Sequence, residues 1–435
     1  MVIKVFAVII SWMMVIVPAQ AAPEIEQWQT ANGAHVFFVA APELPMIDIR
    51  VVFDAGAARD GDLPGVSLMT NSILSEGAGE LDANQIAATF DNVGAQFGTS
   101  SERDMAVLSL RSLTDSTALN SALEMFSTVL NTPSFPEDAF KRQQKQRLIS
   151  LKAEKQSPGA LAARNFYKNV YNDHPYANMP VGDESSINKL SLDALKVFYQ
   201  QYYVGKNATI AIVGAVDNRQ AKKIAEKLMN KLPAGSPAKQ LPTVAEIKQA
   251  KIKSINHPST QTHILMGQPG MKRGDIDYFP LYVGNHILGG SGLVSQLSNE
   301  IREKRGLSYS VYSYFRPMHE MGPYQFGLQT RNDQAQQALE IMQNTLEVFI
   351  KNGPSEKELK AAKQNITGGF ALRVDSNSKI VDYLSMIGFY KLPLDYLDSF
   401  TVKVNAVTIE QIKDAYTRRV HPDRMVTVLV GGEAE

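Results

Sequence analysis

No cysteine occurs among the 435 residues. Disulfides, thiol nucleophiles and thiolate metal ligands are therefore excluded, and stability has to come from packed cores. Net charge is absent too: 44 Lys and Arg face 44 Asp and Glu. A balanced chain has no field drawing it to nucleic acid or to an anionic lipid surface. Beyond the N-terminus no apolar run is long enough to span a bilayer, so no stable membrane insertion is expected.

Familiar catalytic motifs are missing as well. None of the seven histidines has a partner placed to make H-E-x-x-H or H-x-x-E-H. His257 and His263 are six residues apart with no carboxylate between them, which favours surface or hydrogen-bonded roles over a metal pair. His286 sits on an apolar helical pattern and reads as a hydrogen-bonded core or subdomain-contact residue. No G-x-S-x-G is present. Gly289-Gly290-Ser291-Gly292 follows a helical pattern rather than a strand, so Ser291 is not on a nucleophile elbow, and the run lacks the Gly-Lys end of a phosphate loop.

What is there begins with a leader. Lys4 precedes the apolar run Val5–Val17, then Pro18 and the A-x-A pattern Ala19-Gln20-Ala21. About 13 apolar residues fall short of the roughly 20 that a membrane helix needs. The expectation is a secretory signal over residues 1–21, cleaved after Ala21, and a periplasmic location. The rest has 43 basic against 44 acidic residues once Lys4 is gone. It is too long for one ordinary core.

Hydrophobic periodicity predicts strands within Trp28–Val39 around an Asn32-Gly33 turn, at Ile47–Phe53, two within Ala95–Leu113, and at Ala208–Val213. Helices are predicted over Pro64–Leu74, Asp82–Val93, Leu119–Leu130, Pro136–Lys155, Pro158–Val170 and Ser191–Tyr202, with one more ending near Leu232. Pro233–Pro242 carries three prolines and no core pattern, a linker signature. Then the order restarts. Strands are predicted at Thr262–Gly267, Leu307–Phe315, Gly322–Thr330 and Met425–Val430. Helices are predicted at Asp277–Leu288, Leu293–Lys304, Asp333–Ile350, Ser355–Leu372, Lys379–Phe389 and Thr408–Arg418. Ala122-Leu123-Glu124-Met125 matches Ala338-Leu339-Glu340-Ile341, and Thr209–Gly214 matches Thr427–Gly432, at a common offset near 217. This predicts an α+β fold of two duplicated domains, residues 22–232 and 251–435, joined by a linker at 233–250. Each domain is expected to be a mostly antiparallel sheet with helices packed on one face.

The stretch Asn299–Tyr314 runs from a charged helix end through Gly306 into alternating Ser and aromatic residues. Arg302 and Tyr309 flank the break. An Arg offers a planar fork to a carboxylate or carbonyl, and a Tyr hydroxyl can donate to a developing oxyanion. On residues alone a bland alternative stands beside this: Arg302 pairs with a nearby Glu, and Tyr309 packs in a sheet.

Ile301-Arg302-Glu303-Lys304-Arg305-Gly306-Leu307-Ser308-Tyr309-Ser310-Val311 closely resembles the C-terminal signature of the pitrilysin/insulinase family of inverted-zincin metallopeptidases. The likeness is to its two-domain, mitochondrial-processing-peptidase-like branch. It extends over the duplication and the loop Leu288-Gly289-Gly290-Ser291-Gly292. The resemblance implies two α+β domains facing each other across a chamber, zinc on H-x-x-E-H plus a distant glutamate in the first, and a substrate-holding Arg and Tyr in the second. By that match Arg302 and Tyr309 take the latter roles. The first domain departs from the pattern: Leu68, Asn71 and Ser72 stand where His, Glu and His belong, and the distant ligand falls near Ile149 or Ser150. Leu has no donor, Ser and Asn are poor zinc ligands, and Asn is no general base.

The resemblance therefore implies a non-catalytic subunit, inactive alone, with no metal or cofactor of its own. Its expected partner is a homologous H-x-x-E-H chain that carries the zinc. An extended peptide would be bound by strand addition near Phe97–Leu110, and Arg302 and Tyr309 would complete the partner's site. The isolated chain could form a homodimer. Two alternatives accompany this reading. One is a non-enzymatic peptide-binding or assembly subunit with the same fold. The other is zinc held elsewhere by His257, His263 or His319.

Overall fold

A computed structural model describes residues 24–432. The expected signal segment, residues 1–21, lies outside them. The N-terminal half opens with β1 (Glu26–Gln29), β2 (His35–Ala40), β3 (Met46–Phe53), α1 (Val66–Ile73), the two-residue strands β4 (Gly77–Ala78) and β5 (Leu81–Asp82), and α2 (Ala83–Asn92). It continues with β6 (Gln96–Ser101), β7 (Ala106–Leu113), α3 (Ser116–Asn131), α4 (Glu137–Glu154), α5 (Pro158–Tyr171), α6 (Glu184–Lys189), α7 (Leu192–Tyr202), β8 (Ala208–Gly214) and α8 (Asn218–Met229). The C-terminal half has β9 (Lys251–Ile255), β10 (Ser259–Pro269), α9 (Tyr278–Asn285), β11 (Val311–Phe315), β12 (Pro323–Arg331), α10 (Ala335–Asn352) and α11 (Glu356–Gly368). It closes with α12 (Asn377–Phe389), α13 (Tyr396–Ala406), α14 (Ile409–Arg419) and β13 (Val426–Gly432).

Side chains fix many of these boundaries. Asp82, Asp217, Ser355 and Thr408 each close a capping box with the Gln or Glu three residues on, satisfying amides that the helix itself leaves open.

The strands form a six-stranded sheet, ordered β1-β2-β8-β3-β7-β6, and a five-stranded one, ordered β11-β12-β10-β13-β9. β2 runs parallel to β8, as β9 does to β13; the other pairings are antiparallel. The series β2-β8-β3-β7-β6 is thus repeated by β9-β13-β10-β12-β11, and the fold is the duplicated α+β arrangement expected. Residues 233–250 form neither helix nor strand. They lie as a strap on the N-terminal half, held by His174 Nε2 at the Pro242 carbonyl (2.8 Å) and by the Ala238 amide on Asn207 Oδ1 (2.9 Å).

Each sheet buries one face under helices of its own half. Phe38, Ile49, Val51 and Phe126 lie in the first core, and Met266, Phe326, Leu346 and Phe349 in the second. The other face is partly covered by a helix from the opposite half. α5 packs on β10 and β13, setting Phe166 and Val170 against Leu265 and Val428. α12 packs on β8, β3 and β2, setting Val381 and Leu384 against Phe37 and Val213. Burying such a side chain contributes about 1.5–3 kcal/mol. The ion pairs across the same boundary, Arg50–Asp382 and Arg316–Glu102, are partly exposed and contribute at most about 1 kcal/mol each. Apolar packing therefore dominates the union of the halves.

A buried carboxylate lies at that union. The Asp104 carboxylate, in the β6–β7 turn, accepts from Tyr176 Oη (2.6 Å), the His319 amide (2.8 Å) and Tyr390 Oη (3.0 Å). The Glu320 amide in turn donates to Tyr176 Oη (3.1 Å). Burial first, and the Asp104 charge second, push both tyrosine hydroxyls far above their ordinary range. They stay protonated and serve as donors. Beside them the buried Arg103 guanidinium lies 3.4 Å from the centre of the Tyr167 ring.

Two expectations fail. The helix predicted over Leu293–Lys304 is broken at Ser295 and resumes as a π-turn, Ser298–Glu303. The strand predicted from Leu307 begins only at Val311. β9, α6 and α13 were not expected from local pattern. The alternating Lys251-Ile252-Lys253-Ser254 is mostly exposed and becomes a strand only because β13 pairs with it from far along the chain.

Candidate functional site

Helix α1 carries Leu68, Asn71 and Ser72. Leu68 is half-buried and has no donor atom. Asn71 is buried, and its side chain is fully used: the amide donates to the Ser100 carbonyl (2.7 Å) and the Val107 carbonyl (3.2 Å), and Oδ1 accepts from Tyr203 Oη (2.9 Å). It pins α1 to β6 and β7. The Ser72 hydroxyl meets Gln143 Oε1 (2.7 Å) on α4, and Gln143 Nε2 continues to Glu76 Oε1 (2.9 Å), which also pairs with Arg142. A polar chain thus joins α1 to α4. Ile149 points to solvent, and Ser150 donates to the Gln146 carbonyl.

Zinc needs three or four nitrogen, sulfur or carboxylate donors converging on one point. The residues on α1 do not fit it: one has no donor, one is locked in three hydrogen bonds, and the third is a serine bonded to a glutamine. Among the described residues no three His, Asp or Glu side chains gather as a metal site. His319, considered as a ligand above, instead packs its ring 4.6 Å from that of Phe389 and 4.9 Å from that of Tyr390.

Asp60, in the loop before α1, carries no local sequence signal of its role. It is buried and accepts from the amides of Gly65 (2.6 Å) and Ser67 (2.9 Å). Those bonds favour the carboxylate, but burial outweighs them and pushes the group up to about 7, from an ordinary 3.8. Between those values the folded protein holds a proton that the unfolded chain releases. Stability should therefore fall as pH rises from about 4 towards 7, by up to about 1.4 kcal/mol per pH unit from this group. Denaturation midpoints measured across that range should show the decline, and Asp60→Asn should flatten it. A slope unchanged in the variant assigns the dependence elsewhere.

Arg302 and Tyr309 are positioned by the π-turn and its ending. Gly306, at φ +62°, takes the left-handed conformation that glycine adopts without strain. It lets its own amide reach the Arg302 carbonyl (2.9 Å) and the Leu307 amide reach the Ile301 carbonyl (3.0 Å), a Schellman-like closure widened to fit the π-turn. Ser308 Oγ then lies 2.7 Å from the carbonyls of Ser310 and Gln329, tying the chain to β12. Tyr309, between these anchors and the start of β11, projects outward with 83% of its surface exposed. The Arg302 guanidinium sits 5.2 Å from the centre of its ring and 3.0 Å from Glu303 Oε1. The bland alternative is half met: Arg302 does touch a glutamate, but Tyr309 does not pack in the sheet.

β6, where peptide addition was expected, is the last strand of its sheet, with one edge unpaired. A cleft of about 350 Å³ lies beside it on the face that α12 partly covers, lined by Gln96, Gly98, Ser109 and the ion-paired Asp48, Arg50 and Arg111.

Comparison with known proteins fits this geometry. Residues 36–184 match the family described as insulinase (peptidase family M16), and residues 189–366 the one described as the peptidase M16 inactive domain. A crystal structure of a peptidase M16 inactive domain from Pseudomonas fluorescens is 41% identical, with a TM-score of 0.92, covering 94% of this chain and 98% of that one. A relative from Bacillus subtilis, called an uncharacterized zinc protease YmxG, is 25% identical over 89% of this chain and 94% of its own length. A relative from Helicobacter pylori, called a non-peptidase homolog YmxG, is 24% identical over 85% of each.

Proposed function

Because this chain belongs to the insulinase (M16) family of peptidases, we propose that it is the non-catalytic subunit of a heterodimeric zinc peptidase in the periplasm. Its partner is a homologous chain that bears H-x-x-E-H and the zinc, and the two enclose an extended peptide. The unpaired edge of β6 offers main-chain hydrogen bonds for such a peptide. Arg302 holds a substrate carbonyl or carboxylate through its planar fork. Tyr309 donates to the oxyanion that forms in the partner's site, an interaction made mainly in the transition state.

The observation that carries this reading is a contrast within one chain. The helix that should hold zinc has no usable donors, whereas a half-buried Arg302 lies against the exposed ring of Tyr309. Co-expression with an H-x-x-E-H homologue from the same genome tests it. The expected result is a pair that co-purifies with one zinc and cleaves peptides, while this chain alone holds no zinc and cleaves nothing. A partner without zinc would favour a shell kept only for peptide binding or assembly. Stoichiometric zinc in the isolated chain would overturn the proposal outright.

A further inference from the structure

The two halves place the same row of residues across their sheets. In the N-terminal half the row is Ala211, Arg50, Ser109 and Gly98; in the C-terminal half it is Val428, Leu265, Gly327 and Tyr312. Residues directly opposite in a sheet share a face. Leu265 packs against α5, so Tyr312 lies on that same face, as does Tyr314 two residues on. Where Gly98 and Ser109 leave the open cleft in the first half, the second half is filled by tyrosines. The first sheet folds without such side chains, so the duplicated architecture does not require them.

Their geometry makes a platform. The Tyr312 and Tyr314 rings are 5.8 Å apart and within 13° of parallel. Gly327 makes this possible: a Cβ there would sit 2.4 Å from Tyr312 Cζ and Oη. With glycine, the ring reaches across β12 and lies against bare backbone. Both tyrosines remain exposed, at 38% and 36%. They continue directly from Tyr309, whose Cα is at most about 10 Å of extended chain from that of Tyr312.

We propose that Tyr312 and Tyr314 are a specificity platform for a large flat side chain, Phe, Tyr or Trp, of the bound peptide, near the bond that Tyr309 serves. The proposal rests on the peptidase-subunit reading above. Parallel ring faces gain most from another ring, through offset stacking beyond simple burial. Basic side chains also favour aromatic faces, and a Lys peptide that outdoes the Phe peptide at that position would overturn the assignment to a flat ring. Carboxylates meet the electron-rich faces of both rings and are disfavoured.

The test uses the assembled pair and peptides that differ at one position, carrying Phe, Leu, Ala or Lys, with that position walked along both sides of the scissile bond. At one position Phe should exceed Ala roughly tenfold in kcat/KM. Tyr312→Ser should bring that ratio close to one. Gly327→Ala should do the same while keeping both tyrosines, because its methyl displaces the Tyr312 ring. Tyr309→Phe, by contrast, should slow all peptides alike and leave the ratio intact. A wild-type pair with no such preference, or a preference that survives both variants, overturns the platform. Should no peptidase pair exist, the same peptides titrated against the isolated chain decide the matter. Tighter binding of the Phe peptide that Tyr312→Ser abolishes supports it; equal binding of Phe and Ala peptides overturns it. Thermal melts close to wild type for both variants separate lost recognition from lost folding.

Discussion

Tyr309→Phe is expected to lower the activity of the assembled pair about a hundredfold and to leave assembly intact. The side chain is 83% exposed and supports no core, so removing its hydroxyl disturbs no packing. What it removes is one hydrogen-bond donor to the oxyanion. Losing such a donor costs about 3 kcal/mol of transition-state stabilisation, and each 1.36 kcal/mol is about tenfold in rate. Because the donor acts mainly on the transition state, kcat should fall and KM should change little. Steady-state kinetics at fixed pair concentration, with assembly checked by gel filtration, measure both. Full activity in the variant would remove Tyr309 from the mechanism, whatever the fate of the pairing itself.

Asp104→Ala should have the largest effect on stability. The carboxylate is the common acceptor for two buried tyrosine hydroxyls and a backbone amide, and alanine leaves all three facing no partner. A buried donor without an acceptor costs about 1–3 kcal/mol. A total loss of roughly 3–5 kcal/mol is therefore expected, since such terms do not add fully. Asp104→Asn keeps one oxygen acceptor and should lose less. Tyr176 comes from the N-terminal half, and Tyr390 and His319 from the C-terminal half. Denaturant unfolding of Asp104→Ala should therefore broaden or split as the halves lose their coupling. A loss under about 1 kcal/mol would mean that water or neighbouring side chains replace the carboxylate without difficulty.

Local chemistry was legible in the sequence. Asp82, Ser191 and Thr408 marked helix starts, and the structure caps helices at all three. The duplication was legible because strand cores such as Thr209–Gly214 and Thr427–Gly432 repeat their apolar pattern. The degenerate positions Leu68, Asn71 and Ser72 were found only by resemblance, since nothing in a run of Ser, Thr and Asn on a helix announces a lost metal site. The π-turn under Arg302 looks like ordinary helix in sequence, because its wider turn shifts hydrogen bonds without changing which residues are apolar. Asp104 was invisible for a different reason. Its partners lie 72, 215 and 286 residues away, and no local pattern carries that information. Tyr312 and Tyr314 stood out as part of a Ser-aromatic alternation, but their meaning depends on Gly327 across the sheet.

The crossed helices set a timetable for the growing polypeptide. The first sheet completes its strands at Gly214, yet the helix that covers its second face starts at Asn377. At roughly 5–20 residues per second, the ribosome takes on the order of ten seconds or more to make the intervening stretch. Through that interval Phe37, Val39, Ala211 and Val213 present a bare apolar surface. Nascent chains in this condition aggregate or bind chaperones. The protein becomes safe only when α12 arrives, so its first half is committed to waiting for its last third.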